Sequence, residues 1–386
     1  MGFDLAEWLN LAIRWFHLTA GIAWIGSSFY FVWLDNHLVK PAEGDASGEL
    51  WSVHGGGFYH NRKYQVAPAE MPERLHWFKW EAYFTWISGF SLLVLVYYAG
   101  AQSFLIDPAK AALSPVQAIA IGLSALALGW LVYDGLCRSP VGSNNLALGI
   151  FWFACLLFAA SLLDSLFNSR AAYLHVGAIM GTAMVANVFL IIIPNQRKVV
   201  ADLIAGRTPD PRLGAQAKQR SLHNNYMTLP VLFIMISPHY PMTYGAERPW
   251  LVLALLGLTG VAVRHVFNRR GRGQTTGPTI AVAAVLALVS VTYVTMEKKG
   301  AANGPAGTAT YAGIEPILAT HCAGCHNVGA PPLGVALDSW EHVSAASARI
   351  KRVAVDSHVM PLGNPTGMTP EERRKLGAWI AAGSPR

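Results

Sequence analysis

Apolar residues gather in eight long runs along the chain, at about 8–34, 80–100, 115–136, 145–167, 172–194, 226–239, 249–267 and 277–296. Most approach the ~20 residues that a helix needs to cross the hydrocarbon core of a bilayer. The run at 226–239 is shorter and carries Pro230 and Pro238, so its ends are the least defined. Small residues follow the eighth run, in Gly300-Ala-Ala-Asn-Gly-Pro-Ala-Gly307, a composition typical of flexible linkers. The pattern predicts an all-α chain: an eight-span transmembrane helix bundle over 1–299, a linker at 300–310 and a small soluble domain over 311–386.

Composition supports this division. Hydrophobic residues make up 53% of the 386 and charged residues only 13%, a balance suited to a polytopic membrane protein and not to a soluble enzyme. The net charge of +7 is a topology signal, with no nucleic acid implied. With the N-terminus outside, the inner loops carry Arg62, Lys63, Arg74, Arg138, Arg197, Lys198, Arg269, Arg270 and Arg272, among others. The outer loops hold Lys110, Arg170 and Arg248. This positive-inside bias returns the C-terminal domain to the outer, periplasmic side of a bacterial inner membrane. Asp4 and Glu7 stand where a cleavable signal would be basic, so the first run is expected to remain as a span.

Polar residues inside apolar runs are costly unless they face partners or a cavity. Asn10, Arg14, His17, Gly21 and Ser28 recur on one face of the first run. For Gly21 and Ser28 helix packing suffices, whereas Arg14 with His17 reads as a site. The segment His17–Asn36 parallels His175–Asn195, which suggests two parallel four-helix repeats. His17 and His175 form an outer histidine layer, and His76, His223 and His265 an inner one. Paired imidazoles suit haem b in the membrane domain, and hydrogen-bonded structural histidines are the alternative. In the loop after the first run, glycines at His54-Gly-Gly-Gly-Phe58 permit close backbone approach to a flat anionic ligand. Lys79 and Glu81 follow it, as an ion pair or as anion holder and proton acceptor.

The 311–386 segment contains Cys322-Ala-Gly-Cys-His326, the attachment signature of a c-type haem, in which both thiols bond to the porphyrin and the histidine ligates iron. Met360 supplies a thioether for the opposite side, and Met368 is the reserve candidate. A zinc knuckle lacks the second ligand pair it requires, and a redox-active CxxC is the remaining alternative. The domain therefore reads as a cytochrome c module, with His326 and Met360 as metal ligands. Cys137 and Cys155 read as a loop-edge thiol and a packed small hydrophobe.

Several membrane motifs together are specific: Trp15-Phe-His-Leu-Thr-Ala-Gly-Ile-Ala-Trp-Ile-Gly26, the His54-Gly-Gly-Gly-Phe-Tyr loop, Leu75-His-Trp-Phe-Lys-Trp-Glu-Ala-Tyr83, and His223-Asn-Asn-Tyr226. On these, with the terminal Cys-x-x-Cys-His, the whole chain resembles the bacterial membrane-bound urate oxidases (urate hydroxylases). The first run is also similar to that of the membrane protoporphyrinogen oxidases, which strengthens His17 as a haem ligand. The resemblance implies oxidation of urate to 5-hydroxyisourate in purine breakdown. Electrons would pass through haem c to a respiratory oxidase or soluble cytochrome, without hydrogen peroxide. Arg14 or Lys79 is then expected to hold urate, and Glu81 or a histidine to take its proton. A different membrane dehydrogenase with the same cytochrome outlet, and a non-enzymatic electron-transfer anchor, are the rival readings.

Overall fold

A computed structural model describes residues 5–64, 72–302, 310–327, 334–356, 358–362, 364 and 366–386. The molecule is mostly helical, and each apolar run falls at least in part on a helix. These are α1 (Leu5–His37), α2 (Trp80–Leu92, continued by a π-helical turn, Leu93–Tyr98), α3 (Pro115–Arg138) and α4 (Asn145–Leu166). They are followed by α5 (Ser169–Ala186), α6 (Pro211–Ile236), α7 (Pro249–Gly271) and α8 (Gly277–Ala302). Beyond Ala186, α5 passes through a π-helical turn, Asn187–Ile192, and continues as Ile193–Ile204.

Five of these helices are long and apolar enough to cross a membrane: α3, α4, α5 with its continuation to Ile204, α7, and α8 from Gly277 to Met296. The other three differ for visible reasons. Helix α1 has 33 residues but interleaves Asn10, Arg14 and His17 with its apolar positions. Only 13 residues of α2 precede the change to π winding. Helix α6 starts at Pro211, well before the expected 226, because Asp210 accepts from the Arg212 backbone N–H at 2.9 Å and proline is favoured in a first turn. Its first half is consequently polar. Pro230 is accommodated inside it, and Gly260 of α7 packs against that ring, where a Cβ would lie 3.2 Å from Cδ.

The all-α expectation misses one element. The loop after α1 is a β-hairpin, β1 (Gly48–His54) antiparallel to β2 (Gly57–Lys63). Its glycines serve the turn: Gly55 and Gly56 have φ of 59° and 80°, the two positive values of a tight two-residue loop. Trp51 stacks on His60 at 4.1 Å across the strands, and Lys63 pairs with Asp35 of α1 at 2.7 Å. The proposed linker begins as helix, since α8 reaches Ala302; 303–309 lie outside the described residues.

Two compact units form. The first comprises Met1–Leu92, Met180–Val231 and Gly260–Ala283, and the second Leu93–Ile179, Leu232–Thr259 and Ala284–Arg386. Neither coincides with a four-helix half. Within the first, α1 lies along α2, with Phe16 edge-on to Phe84 at 5.6 Å and Phe31 to Phe78 at 4.9 Å. Within the second, α9 (Tyr311–His321), α10 (Trp340–Ala345) and α11 (Pro370–Ala381) surround an apolar core. That core includes Ile314, Leu318, Val343, Met368, Leu376 and Trp379, and burying it supplies the main stabilisation of the 311–386 region.

Candidate functional site

The Cys-x-x-Cys-His segment follows α9 directly. His326 Nδ1 donates to the Val335 carbonyl at 2.8 Å. A carbonyl can only accept, so this bond fixes the tautomer and leaves the Nε2 lone pair without a partner among the described residues. Cys322 and Cys325 are both free thiols. Burial, with Cys325 adding to it against Arg373, pushes the Cys322 thiol up to about 11. A redox-active CxxC needs the opposite, a depressed thiol. Among the described residues no group of three or more His, Cys, Asp or Glu is placed to hold a metal ion, so the zinc alternative gains nothing either.

The two methionines divide clearly. Met368 is 1% exposed and belongs to the apolar core, whereas Met360 is half-buried at its edge. The Met360 backbone is pinned at both ends. Its N–H donates to Val353 O at 2.8 Å, and its carbonyl accepts from Arg373 Nη1 at 2.7 Å. The same guanidinium nitrogen bonds Ala354 O. Two free thiols, an oriented imidazole and a thioether held at the core's edge are the donor set that a covalent haem with His/Met ligation requires. The residues present fit haem c.

The membrane histidines are less accommodating. His175 is fully buried, with Nδ1 donating to Ala171 O at 2.8 Å and Nε2 meeting the Tyr98 hydroxyl at 3.2 Å. Gly122 covers that nitrogen: a Cβ there would stand 2.7 Å from it. Both ring nitrogens are engaged, so His175 as arranged does not fit an iron ligand. His17 bonds Thr85 O and Ser88 Oγ through Nδ1, each at 3.0 Å, and packs against Gly89. Its Nε2 has no partner among the described residues.

The expected urate-site residues are not brought together. Arg14 is exposed and spends its donors on Asn10, one turn back in α1, at 3.0 and 3.3 Å. Lys79 lies over the Trp80 ring at 5.3 Å, and the alternative ion pair with Glu81 does not form. Among the described residues no hydrogen bond or ion pair joins Arg14, Lys79 and Glu81. Asp134 and Asp164 are structural, as their ion pairs with Arg138 (2.7 Å) and Lys110 (2.8 Å) show.

A different polar centre occupies the first unit. The π-helical turn after α5 opens with Asn187, which is fully buried. Asn187 accepts from Arg220 at 3.1 Å and donates to Asn224 Oδ1 at 2.8 Å; Asn224 donates in turn to Met184 O at 2.9 Å. Beside it, Arg264 Nε donates to Asn225 Oδ1, and Asn225 donates to Asn268 Oδ1 at 3.1 Å. Arg264 also stacks on Phe29 at 3.7 Å. At 7% exposure it has no carboxylate partner among the described residues, and an uncompensated charge with so little exposure is unfavourable. The sequence reading missed Arg264 and Asn268. Their signal was an arginine inside the apolar run 249–267, which in a span is a candidate site by default.

The described chain is thus mostly helical, with five helices long and apolar enough to cross a membrane, a buried cationic amide network, and a Cys-x-x-Cys-His segment near its C-terminus. The family model described as "Urate oxidase N-terminal" matches residues 4–296, and the chain belongs to that family. No curated protein and no solved structure matches it.

Proposed function

We propose that the chain is a membrane-bound urate oxidase that delivers electrons to a C-terminal haem c. The observation that carries this reading is the family match over residues 4–296, joined in one chain to Cys322, Cys325, His326 and Met360. All eight helices α1–α8 would cross the bacterial inner membrane, with the N-terminus and the 311–386 domain on the periplasmic side, as the basic loops imply.

The reaction balances as urate plus water giving 5-hydroxyisourate, two electrons and two protons when both purines are counted as monoanions. Water adds at C5 of the oxidised ring. Bound between Cys322 and Cys325, haem c supplies a one-electron acceptor of high potential. The protein's part is to bind the flat anion, receive its proton and exclude competing reactions. Electrons leave to a respiratory oxidase or soluble cytochrome, so no hydrogen peroxide forms.

Membranes containing the protein should consume urate with oxygen uptake through the respiratory chain and no peroxide. Cys322→Ala, which prevents correct haem attachment, should abolish this. Urate consumption undiminished in that variant, or peroxide formed in step with urate loss, would sink the reading.

A further inference from the structure

Two chains of hydrogen bonds start from buried arginines in the first unit, and only one of them is closed. A guanidinium can only donate, so each arginine fixes the orientation of every amide beyond it. From Arg220 the order runs through Asn187 and Asn224 and ends on the Met184 carbonyl, which accepts the last N–H. From Arg264 the order runs through Asn225 to Asn268 Oδ1, and there it stops. Asn225 Oδ1 is taken by Arg264, so Asn225 must present its NH2 to Asn268, and Asn268 must turn its own NH2 away. That Asn268 Nδ2 is buried and has no partner among the described residues. The two Nη groups of Arg264 meet no acceptor among the described residues either, and unlike Asn268 Nδ2 they are not fully buried. Asn268 is 3% exposed, and Arg264 is 7% exposed with one face covered by Phe29.

The open chain thus ends in donors alone, carries a positive charge, and has an aromatic ring against the guanidinium. Buried donors are almost always satisfied in native proteins, so Asn268 Nδ2 awaits an acceptor that is not part of the described chain, and the free Nη groups of Arg264 stand one turn away on the same helix. The acceptor must be anionic, because a buried guanidinium needs charge compensation. A flat, rigid anion with neighbouring oxygen or nitrogen acceptors matches the planar fork of arginine better than a rounded one does. We propose that Arg264 and Asn268, oriented by Asn225 and backed by Phe29, form the binding site for a planar organic anion. On the urate reading, which this assignment deepens, that anion is the substrate. Arg264 and Asn268 then bind and orient it, and Asn225 is a positioning residue. An anionic lipid phosphate offers similar charge, and the experiment separates the two.

The full haem-loaded chain is placed in phosphatidylcholine nanodiscs, with a matched set containing phosphatidylglycerol. Two quantities are read: the shift of the thermal midpoint with urate, and the KM for urate-driven reduction of haem c without oxygen. Asn268→Leu removes the terminal donor at similar volume and is expected to raise KM at least tenfold and abolish the urate-induced shift. Arg264→Gln should do more, and Arg264→Lys, which keeps charge but loses the fork, should lie between wild type and Arg264→Gln. Reduction by dithionite should be equal in all. Asn268→Leu with wild-type KM and shift overturns the proposal, and so does stabilisation by phosphatidylglycerol with none by urate. Should Arg264→Gln fail to fold, Asn268→Leu decides alone. Should urate fail to reduce wild-type haem c, the functional reading falls and the site is judged by benzoate. A benzoate-induced shift present in wild type and lost in Asn268→Leu upholds it, and no shift in wild type overturns it.

Discussion

Asn364 donates from Nδ2 to Asp107 Oδ1 at 2.9 Å, bridging two residues of the second unit that are 257 positions apart. The same amide clamps its own loop, accepting from the Met368 N–H at 2.7 Å and donating to the Met368 carbonyl at 3.1 Å. It does so from a left-handed backbone, φ 47°, that asparagine tolerates better than most residues. Asn364→Ala removes all three bonds and is expected to cost ~1–3 kcal/mol in the 311–386 domain. Asp107→Ala removes the bridge and the bond that Asp107 Oδ1 accepts from the Ala109 N–H at 3.1 Å, and leaves the two Asn364–Met368 bonds in place. Its domain should melt near the wild-type midpoint, while haem c reduction by urate slows. Denaturant melts followed by haem absorption, paired with reduction kinetics, separate the two effects.

Met360 and Met368 should behave differently when truncated. Met360→Ala removes the proposed axial thioether, so the haem c reduction potential should fall with modest loss of stability. Met368→Ala opens a cavity in a core where the side chain is 1% exposed, at ~2–5 kcal/mol, with the potential nearly unchanged. Potentiometric titration of both variants checks the assignment. A lowered potential in Met368→Ala alone would exchange their roles.

Glu372 gives the domain an acid sensitivity of known sign. It is the third residue of α11, and the Thr369 backbone N–H, then the Thr369 hydroxyl, hold its carboxyl below the usual glutamate range. A carboxylate with a depressed folded-state pKa stabilises above its unfolded value, and that stability is lost as pH falls through the folded one. Thr369→Ala is expected to cost ~1 kcal/mol at neutral pH and to flatten the acid limb of the stability curve. Acid unfolding monitored at the haem tests this. An unchanged limb in the variant would rule the Thr369 hydroxyl out as a contributor, since the backbone N–H bond to Glu372 survives the substitution.

Haem content tests the His175 geometry. With Nδ1 on Ala171 and Nε2 on Tyr98, His175 is not placed to ligate iron, so the pyridine haemochrome of the purified chain should hold no b-type component that depends on His175. Gly122→Ala, whose Cβ would press on both rings, should destabilise the protein by ~1–3 kcal/mol without changing haem content. A b-type component that disappears in His175→Ala would contradict this.

The helices were legible because burial in a bilayer demands long apolar runs, and each of the eight runs found its helix. The residues proposed to hold haem stand out in the sequence because covalent attachment would require two thiols and an imidazole at fixed spacing. The β-hairpin was not, since its short strands alternate too little and its glycines could be read equally as a ligand loop. Arg14, Lys79 and Glu81 stand out as charges in or near spans, but a linear sequence does not show that Arg14 bonds Asn10 one turn back, or that Lys79 rests on Trp80. The open donor chain from Arg264 was invisible for the converse reason. Its meaning lies in which amide points where, and that depends on three helices packing together.

On the proposed function, electrons from urate reach the haem of this chain. Anaerobic addition of urate to the purified, fully oxidised protein tests it most directly, with the haem c absorption recorded through time. Full reduction by half an equivalent of urate per haem is expected, with 5-hydroxyisourate as the first product. Haem that stays oxidised in urate, yet is promptly reduced by dithionite, would contradict it.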